Sequence, residues 1–193
     1  MSQSTTTPLA QTKETLGFWL YLMTDCLVFA SLFATFAVLR GATAGGVGGS
    51  DIFSLPFVLV ETMVLLASSF TVGMAVLAAN ADKRRRMLAW LAATGLLGAT
   101  FLGMELWEFA ALYQEGHVWT KSAFLSSYFG LVGTHGLHIL AGLIWLAALF
   151  GHALKHSLNE RAKQRILYFS LFWHFLDVIW ICIFTIVYLM GVV

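Results

Sequence analysis

Along this chain, long apolar runs alternate with short polar connections, and the runs set its architecture. Gly17–Leu39, Phe53–Asn80, Met87–Tyr113, Phe124–His152 and Leu167–Val193 are each almost unbroken in apolar character. A helix rising ~1.5 Å per residue crosses a ~30 Å hydrocarbon core in about 20 residues, so each run is long enough to span a membrane. The pattern predicts an all-α integral membrane bundle of five transmembrane helices at about 17–39, 53–80, 87–113, 124–152 and 167–193. A transmembrane β-barrel is excluded, because its strands are ~10 residues long and alternate in polarity. Residues 1–16 read as a polar segment, and 17–193 leave no room for a soluble catalytic domain.

The connections decide the orientation. Lys13, the cluster Lys83, Arg84, Arg85 and Arg86, and the set Lys155, Arg161, Lys163 and Arg165 fall on one side of a five-span alternation. The other side holds only Arg40 and Lys121. Cationic loops stay in the cytoplasm during insertion, so the N-terminus is expected inside and the C-terminus outside. The basic residues read as a topology signal, with an anionic-lipid site as the alternative. The first sixteen residues lack the basic start and short apolar core of a cleaved leader, so the first helix is expected to remain as an anchor.

Composition agrees: 59% of residues are hydrophobic and 11% charged, against roughly 25% charged in a soluble domain. A net charge of +1 without a basic stripe excludes nucleic acid as a partner. Cys26 and Cys182 lie in apolar runs without metal-type spacing and read as buried free thiols. The Gly-rich stretch 41–50 lacks the ending of a phosphate loop and reads as an outer connection.

Candidate chemistry lies in the ionisable residues inside the runs. Burying a charge mid-bilayer costs on the order of 3 kcal/mol, so such residues face partners or the bundle interior. They are Asp25, Glu61, Glu105, Glu108, His135, His138, His174 and Asp177. Glu105/Glu108, His135/His138 and His174/Asp177 are spaced i,i+3, each pair on one helix face. Counted from the cytoplasmic ends, Asp25, His174 and Asp177 fall at roughly 10–15 Å, and Glu61, Glu105 and His135 at roughly 25–28 Å. His138 falls a little deeper than His135, and Glu108 approaches the outer interface. The expectation is a carboxylate–histidine network between helices, with Glu61, Glu105 and His135 in the outer layer.

Four roles are open to these groups. They can pair to fix helix register or relay protons. A di-metal site would need Glu-x-x-His on two helices, which is absent. A bis-His haem would need His138 and His174 to meet across different depths. Ser68-Ser69 and Ser126-Ser127 lack the setting of an intramembrane serine protease, and without an internal Pro no span announces a transporter's broken helix. Gly130, Gly133 and Gly136, three apart, allow close approach by a helix or a lipid chain. Trp119, Trp173 and Trp180 are candidates for interface or lipid contact, with plain helix packing as the alternative.

Gly133-Thr134-His135-Gly136-Leu137-His138 with Gly142, and Phe172-Trp173-His174-Phe175-Leu176-Asp177-Val178-Ile179-Trp180, resemble the two signature stretches of haem-copper oxidase subunit III. Leu65-Leu66-Ala67-Ser68-Ser69 and Glu105-Leu106-Trp107-Glu108 are similar to the family's corresponding helices, in the same order. The resemblance covers about residues 15–193. The opening Gly17-Phe18-Trp19-Leu20-Tyr21-Leu22-Met23-Thr24-Asp25-Cys26 and the closing Val187-Tyr188-Leu189-Met190-Gly191 look most like the cytochrome o ubiquinol oxidase branch.

The resemblance implies a non-catalytic core subunit of a proton-pumping oxidase in a bacterial inner membrane. Haems and copper are then expected in subunit I and quinone elsewhere in the complex, with no redox cofactor or metal on this chain. Subunits I, II and IV and phospholipid held in a helix cleft are the implied partners. Asp25 falls where the family has a carbodiimide-reactive membrane carboxylate. The remaining alternatives are subunit III of a cytochrome c oxidase, a free-standing proton-coupled transporter, and a haem-binding membrane cytochrome.

Overall fold

The computed structural model of the chain describes residues 8–43, 45 and 54–192. Most of the Gly-rich stretch, the expected start of the second helix at Phe53 and the last residue, Val193, lie outside the described residues. Within them the fold is α1 (Pro8–Leu39), α2 (Leu55–Asn80), α3 (Arg84–Gln114), α4 (Ala123–Lys155) and α5 (Glu160–Ile183). A six-residue π-helical stretch, Phe184–Leu189, continues α5 into the short α6 (Met190–Val192). Five helices are long and apolar enough to cross a membrane.

The helix ends differ from the apolar runs. Helix α1 begins at Pro8 rather than Gly17, so much of the expected polar segment is helical. Helix α3 takes in Arg84–Arg86, and α5 starts at Glu160 and includes Arg161, Lys163 and Arg165. Arg, Lys and Glu are good helix formers, so a helix continues past the hydrocarbon boundary until a cap or turn residue ends it. Such caps are present. Ser122 Oγ accepts from the Leu125 N–H at 3.1 Å to start α4, and Asn159 Oδ1 accepts from the Ala162 N–H at 2.8 Å to start α5. Asp82, at φ 55°, turns α2 into α3, a left-handed position that Asp tolerates.

Helix α2 packs along α3 and α5, α4 bridges α3 and α5, and α1 lies mainly against α4 and, less, α5. Trp173 is central to the packing of α3, α4 and α5. Its ring occupies the space that a Cβ on Gly98 or Gly142 would need, at 2.8 and 2.9 Å. The indole Nε1 donates to Ser68 Oγ at 2.9 Å, and Trp180 Nε1 donates to Thr62 Oγ1 at 3.0 Å. Both hydroxyls in turn donate to carbonyls of their own helix, so each accepts one hydrogen bond and donates one. Trp173 and Trp180 are therefore core residues, and the lipid-contact expectation for them is withdrawn.

The basic loops meet at one end of the bundle. Arg84 Nε and Nη2 donate to the Ala153 carbonyl at 2.9 and 2.7 Å, and Nη2 also donates to the Leu154 carbonyl at 2.8 Å. A guanidinium there satisfies carbonyls that the end of α4 leaves unpaired. Lys163 Nζ joins Asp82 at 2.8 Å and Glu160 at 3.0 Å. At the opposite end, the Phe124 N–H donates to the Ala42 carbonyl at 3.3 Å, drawing the connection after α1 onto the start of α4.

Candidate functional site

Apolar helices bring the intramembrane ionisable residues together in two unlike groups. The first joins α1 to α4. His138 Nε2 lies 3.1 Å from Asp25 Oδ1, and His138 Nδ1 lies 2.7 Å from the Thr134 carbonyl. A carbonyl only accepts, so Nδ1 carries a proton and Nε2 shares one with Asp25. Phe29, fully buried, covers the pair with its ring centroid 5.2 Å from the His138 ring.

This pairing corrects the expected layers, which put Asp25 well below His138. The error came from taking Gly17 as the helix end. Measured from the opposite ends, Asp25 lies about 21 Å from Leu39 and His138 about 22 Å from Ala123, the same level.

The second group lies inside α2, α3, α4 and the π-helical stretch. Tyr188 donates to Glu108 Oε2 at 3.1 Å, and the Tyr128 and Tyr188 hydroxyls are 3.0 Å apart. Since Tyr188 has given its proton to Glu108, Tyr128 is the donor in the second bond. Glu61, Glu105 and Glu108 lie close enough to feel one another's charge. Both carboxylate oxygens of Glu61 and of Glu105 are buried without a hydrogen-bond partner among the described residues. The Glu105 carboxylate rests against α4 at Gly136, where an added Cβ would stand 2.7 Å from Oε1.

The expected bond between His135 and this cluster is not present. Successive residues of a helix point about 100° apart, and His135 turns away from Gly136 to stack on Trp180, with centroids 5.2 Å apart at 30°. Phe101 meets the same imidazole edge-on at 5.9 Å, and neither ring nitrogen has a hydrogen-bond partner among the described residues. His174 is exposed, whereas Asp177, one turn on, is buried yet close enough to feel the charge of the imidazole. Among the described residues, no group of three or more His, Cys, Asp or Glu is arranged to hold a metal ion.

The three spaced glycines have different neighbours. Gly136 admits the Glu105 carboxylate, Gly133 has Phe109 at 3.7 Å, and Gly130 faces open space. Gly130 and Gly133 floor a groove of about 510 Å³ between α3 and α4, walled by Leu102, Phe109, Leu137 and Leu140. Sequence reasoning missed Tyr128, Tyr188, Thr62 and Ser68. Each is a hydroxyl in an apolar helix, and its partner is more than fifty residues away.

Both groups of polar residues thus lie within five helices long and apolar enough to cross a membrane, the arrangement of a multi-pass membrane protein. Residues 2–192 match the family described as cytochrome c oxidase subunit III. The chain belongs to that family. It is 58% identical over 177 residues to the cytochrome bo(3) ubiquinol oxidase subunit 3 of Pseudomonas putida, covering 92% of this chain and 86% of the relative. It is 44% identical to the quinol oxidase subunit 3 of Bacillus subtilis (91% and 86% covered) and 45% identical to the cytochrome c oxidase subunit 3 of Bacillus sp. strain PS3 (92% and 86%). As a third subunit, the chain has other oxidase subunits as its partners.

Proposed function

We infer that this chain is the non-catalytic third subunit of a bacterial proton-pumping haem-copper ubiquinol oxidase, multi-pass in the inner membrane with its basic loops cytoplasmic. The similarity to the Pseudomonas putida subunit, extending over nearly the whole of both chains, carries the reading. A relative named for cytochrome c keeps 45% identity, so the electron donor is set by neighbouring subunits and assigned here by the stronger match.

The redox centres belong to subunit I, and this chain supports that subunit's stability and sustained proton uptake. Helix α1 is the docking face. Thr24, Ser31 and Thr35 form an exposed hydroxyl stripe along it, each bonded only to its own helix backbone. Small and hydroxyl residues on a membrane helix favour contact with another helix over lipid. The exposed imidazole of His174, within a membrane-crossing segment, likewise favours a protein neighbour. Subunits II and IV complete the complex, and the groove between α3 and α4 suits a phospholipid acyl chain.

Mild-detergent affinity purification of this chain, with mass spectrometry and an absorption spectrum of the eluate, tests the reading. Co-elution of a large haem-bearing subunit that oxidises ubiquinol and not reduced cytochrome c is expected. A colourless chain eluting alone contradicts it and favours a free-standing proton-coupled transporter using Asp25, Glu61, Glu105 and Asp177.

A further inference from the structure

Outside these two groups, one groove combines unpaired cations with an apolar floor. It lies between α2 and α3 at the basic end, holds about 500 Å³, and is lined by Met74, Leu77, Ala78, Lys83, Arg86 and Trp90, with Ala81 and Ala89 at its rim. The charges nearby are not equivalent. Arg84 is committed to the carbonyls of Ala153 and Leu154, and Asp82 is committed to Lys163 at 2.8 Å. Asp82 is therefore not available to neutralise the groove. Lys83 and Arg86 are exposed and make no ion pair among the described residues.

The spacing along the helices is that of an amphiphile. Lys83 and Arg86 mark the top of the groove, while Leu77 lies about 4–5 Å and Met74 and Trp90 about 9 Å from the helix ends at Asn80 and Arg84, toward the bilayer centre. Leu77 is 62% exposed, which a membrane-facing floor requires. Trp90, half-buried, lines the groove from α3. The groove is formed by α2 and α3, whereas α1 packs mainly against α4 and, less, α5, so α1 does not cover it.

We propose that this groove is a binding site for one anionic phospholipid, its phosphate between Lys83 and Arg86 and an acyl chain over Leu77 and Met74. The site is separate from the groove between α3 and α4. It depends on the membrane orientation but not on the identity of the electron donor. A free phosphate would leave the apolar floor empty, and a neutral phospholipid would leave two cations without a counter-charge. Each cation near an anionic headgroup contributes on the order of a fivefold preference, so two give about twenty-five-fold for phosphatidylglycerol over phosphatidylcholine.

The test uses the purified complex in nanodiscs of phosphatidylcholine with phosphatidylglycerol, and native mass spectrometry counts the bound lipid. The wild type is expected to retain one more phosphatidylglycerol than the double variant Lys83→Gln/Arg86→Gln, with identical absorption spectra. Lys121→Gln, at the opposite end, should match the wild type. Leu77→Trp, which fills the floor and keeps both cations, should also lose the lipid, and it serves if the double variant fails to assemble. Equal phosphatidylglycerol retention by wild type and either groove variant overturns the site. A changed spectrum or a missing haem subunit would instead count against the oxidase assignment.

Discussion

Where α2, α3 and α5 meet, indoles and hydroxyls close in pairs: Trp173 with Ser68, Trp180 with Thr62, and Thr71 with Thr94 at 2.8 Å. Helix α1 is held differently. Its described polar ties to the bundle are Asp25 with His138 at 3.1 Å and Thr15 with Tyr168 at 2.8 Å, and large apolar side chains such as Trp19, Met23 and Leu27 face outward. The first region closes these indoles and hydroxyls within its own chain, beside the Glu61 and Glu105 carboxylates, which have no hydrogen-bond partner among the described residues. The second is a helix with one face attached and one face waiting for a neighbour. The bundle core thus gives stability to the chain, and α1 is the helix we propose docks against a neighbouring subunit.

The largest effect should come from the first region. Trp173→Ala empties the space between Gly98 and Gly142 and leaves Ser68 without its donor, at a cost of about 3–5 kcal/mol. Thermal denaturation of the purified complex should show it as early loss of this chain. Next is His138→Leu, which leaves Asp25 buried without its partner at about 2 kcal/mol. Hydrogen exchange should then rise in α1 alone. A rise spread equally over α2–α5 would mean that the two regions are one cooperative unit.

Asp25→Asn should be milder, about 1 kcal/mol, because an amide still bonds to imidazole. Assembly of the complex, judged on native gels, should be close to wild type. The smallest change is Thr62→Val, which removes one internal hydrogen bond among many and should cost about 0.6 kcal/mol. A Thr62→Val effect as large as that of His138→Leu would remove the distinction between the regions.

How much of this was legible in the sequence follows the same division. The five spans were readable because each is a continuous apolar run, and membrane insertion needs little else. Helix ends were not readable from hydropathy, since Arg84–Arg86 and Glu160–Arg165 continue helices beyond the hydrocarbon. That error in α1 displaced Asp25 from His138, although both residues had been singled out. His135 and Glu105 were also singled out, but a rotation of one residue along α4 separates them, and apolar helices carry no strong pattern to fix rotation. The Tyr128–Tyr188–Glu108 chain depends on the π-helical stretch at Phe184–Leu189, whose irregular turn has no composition signal here.

The most direct test of the account places a photo-crosslinking residue at Ser31, in the hydroxyl stripe of α1, and separately at Leu96 of α3, which is 72% exposed. After illumination of intact membranes, Ser31 should give a covalent adduct with the large haem-bearing subunit, and Leu96 should give none. An adduct from Leu96 alone, or a complex that assembles with no adduct from Ser31, would contradict α1 as the docking helix.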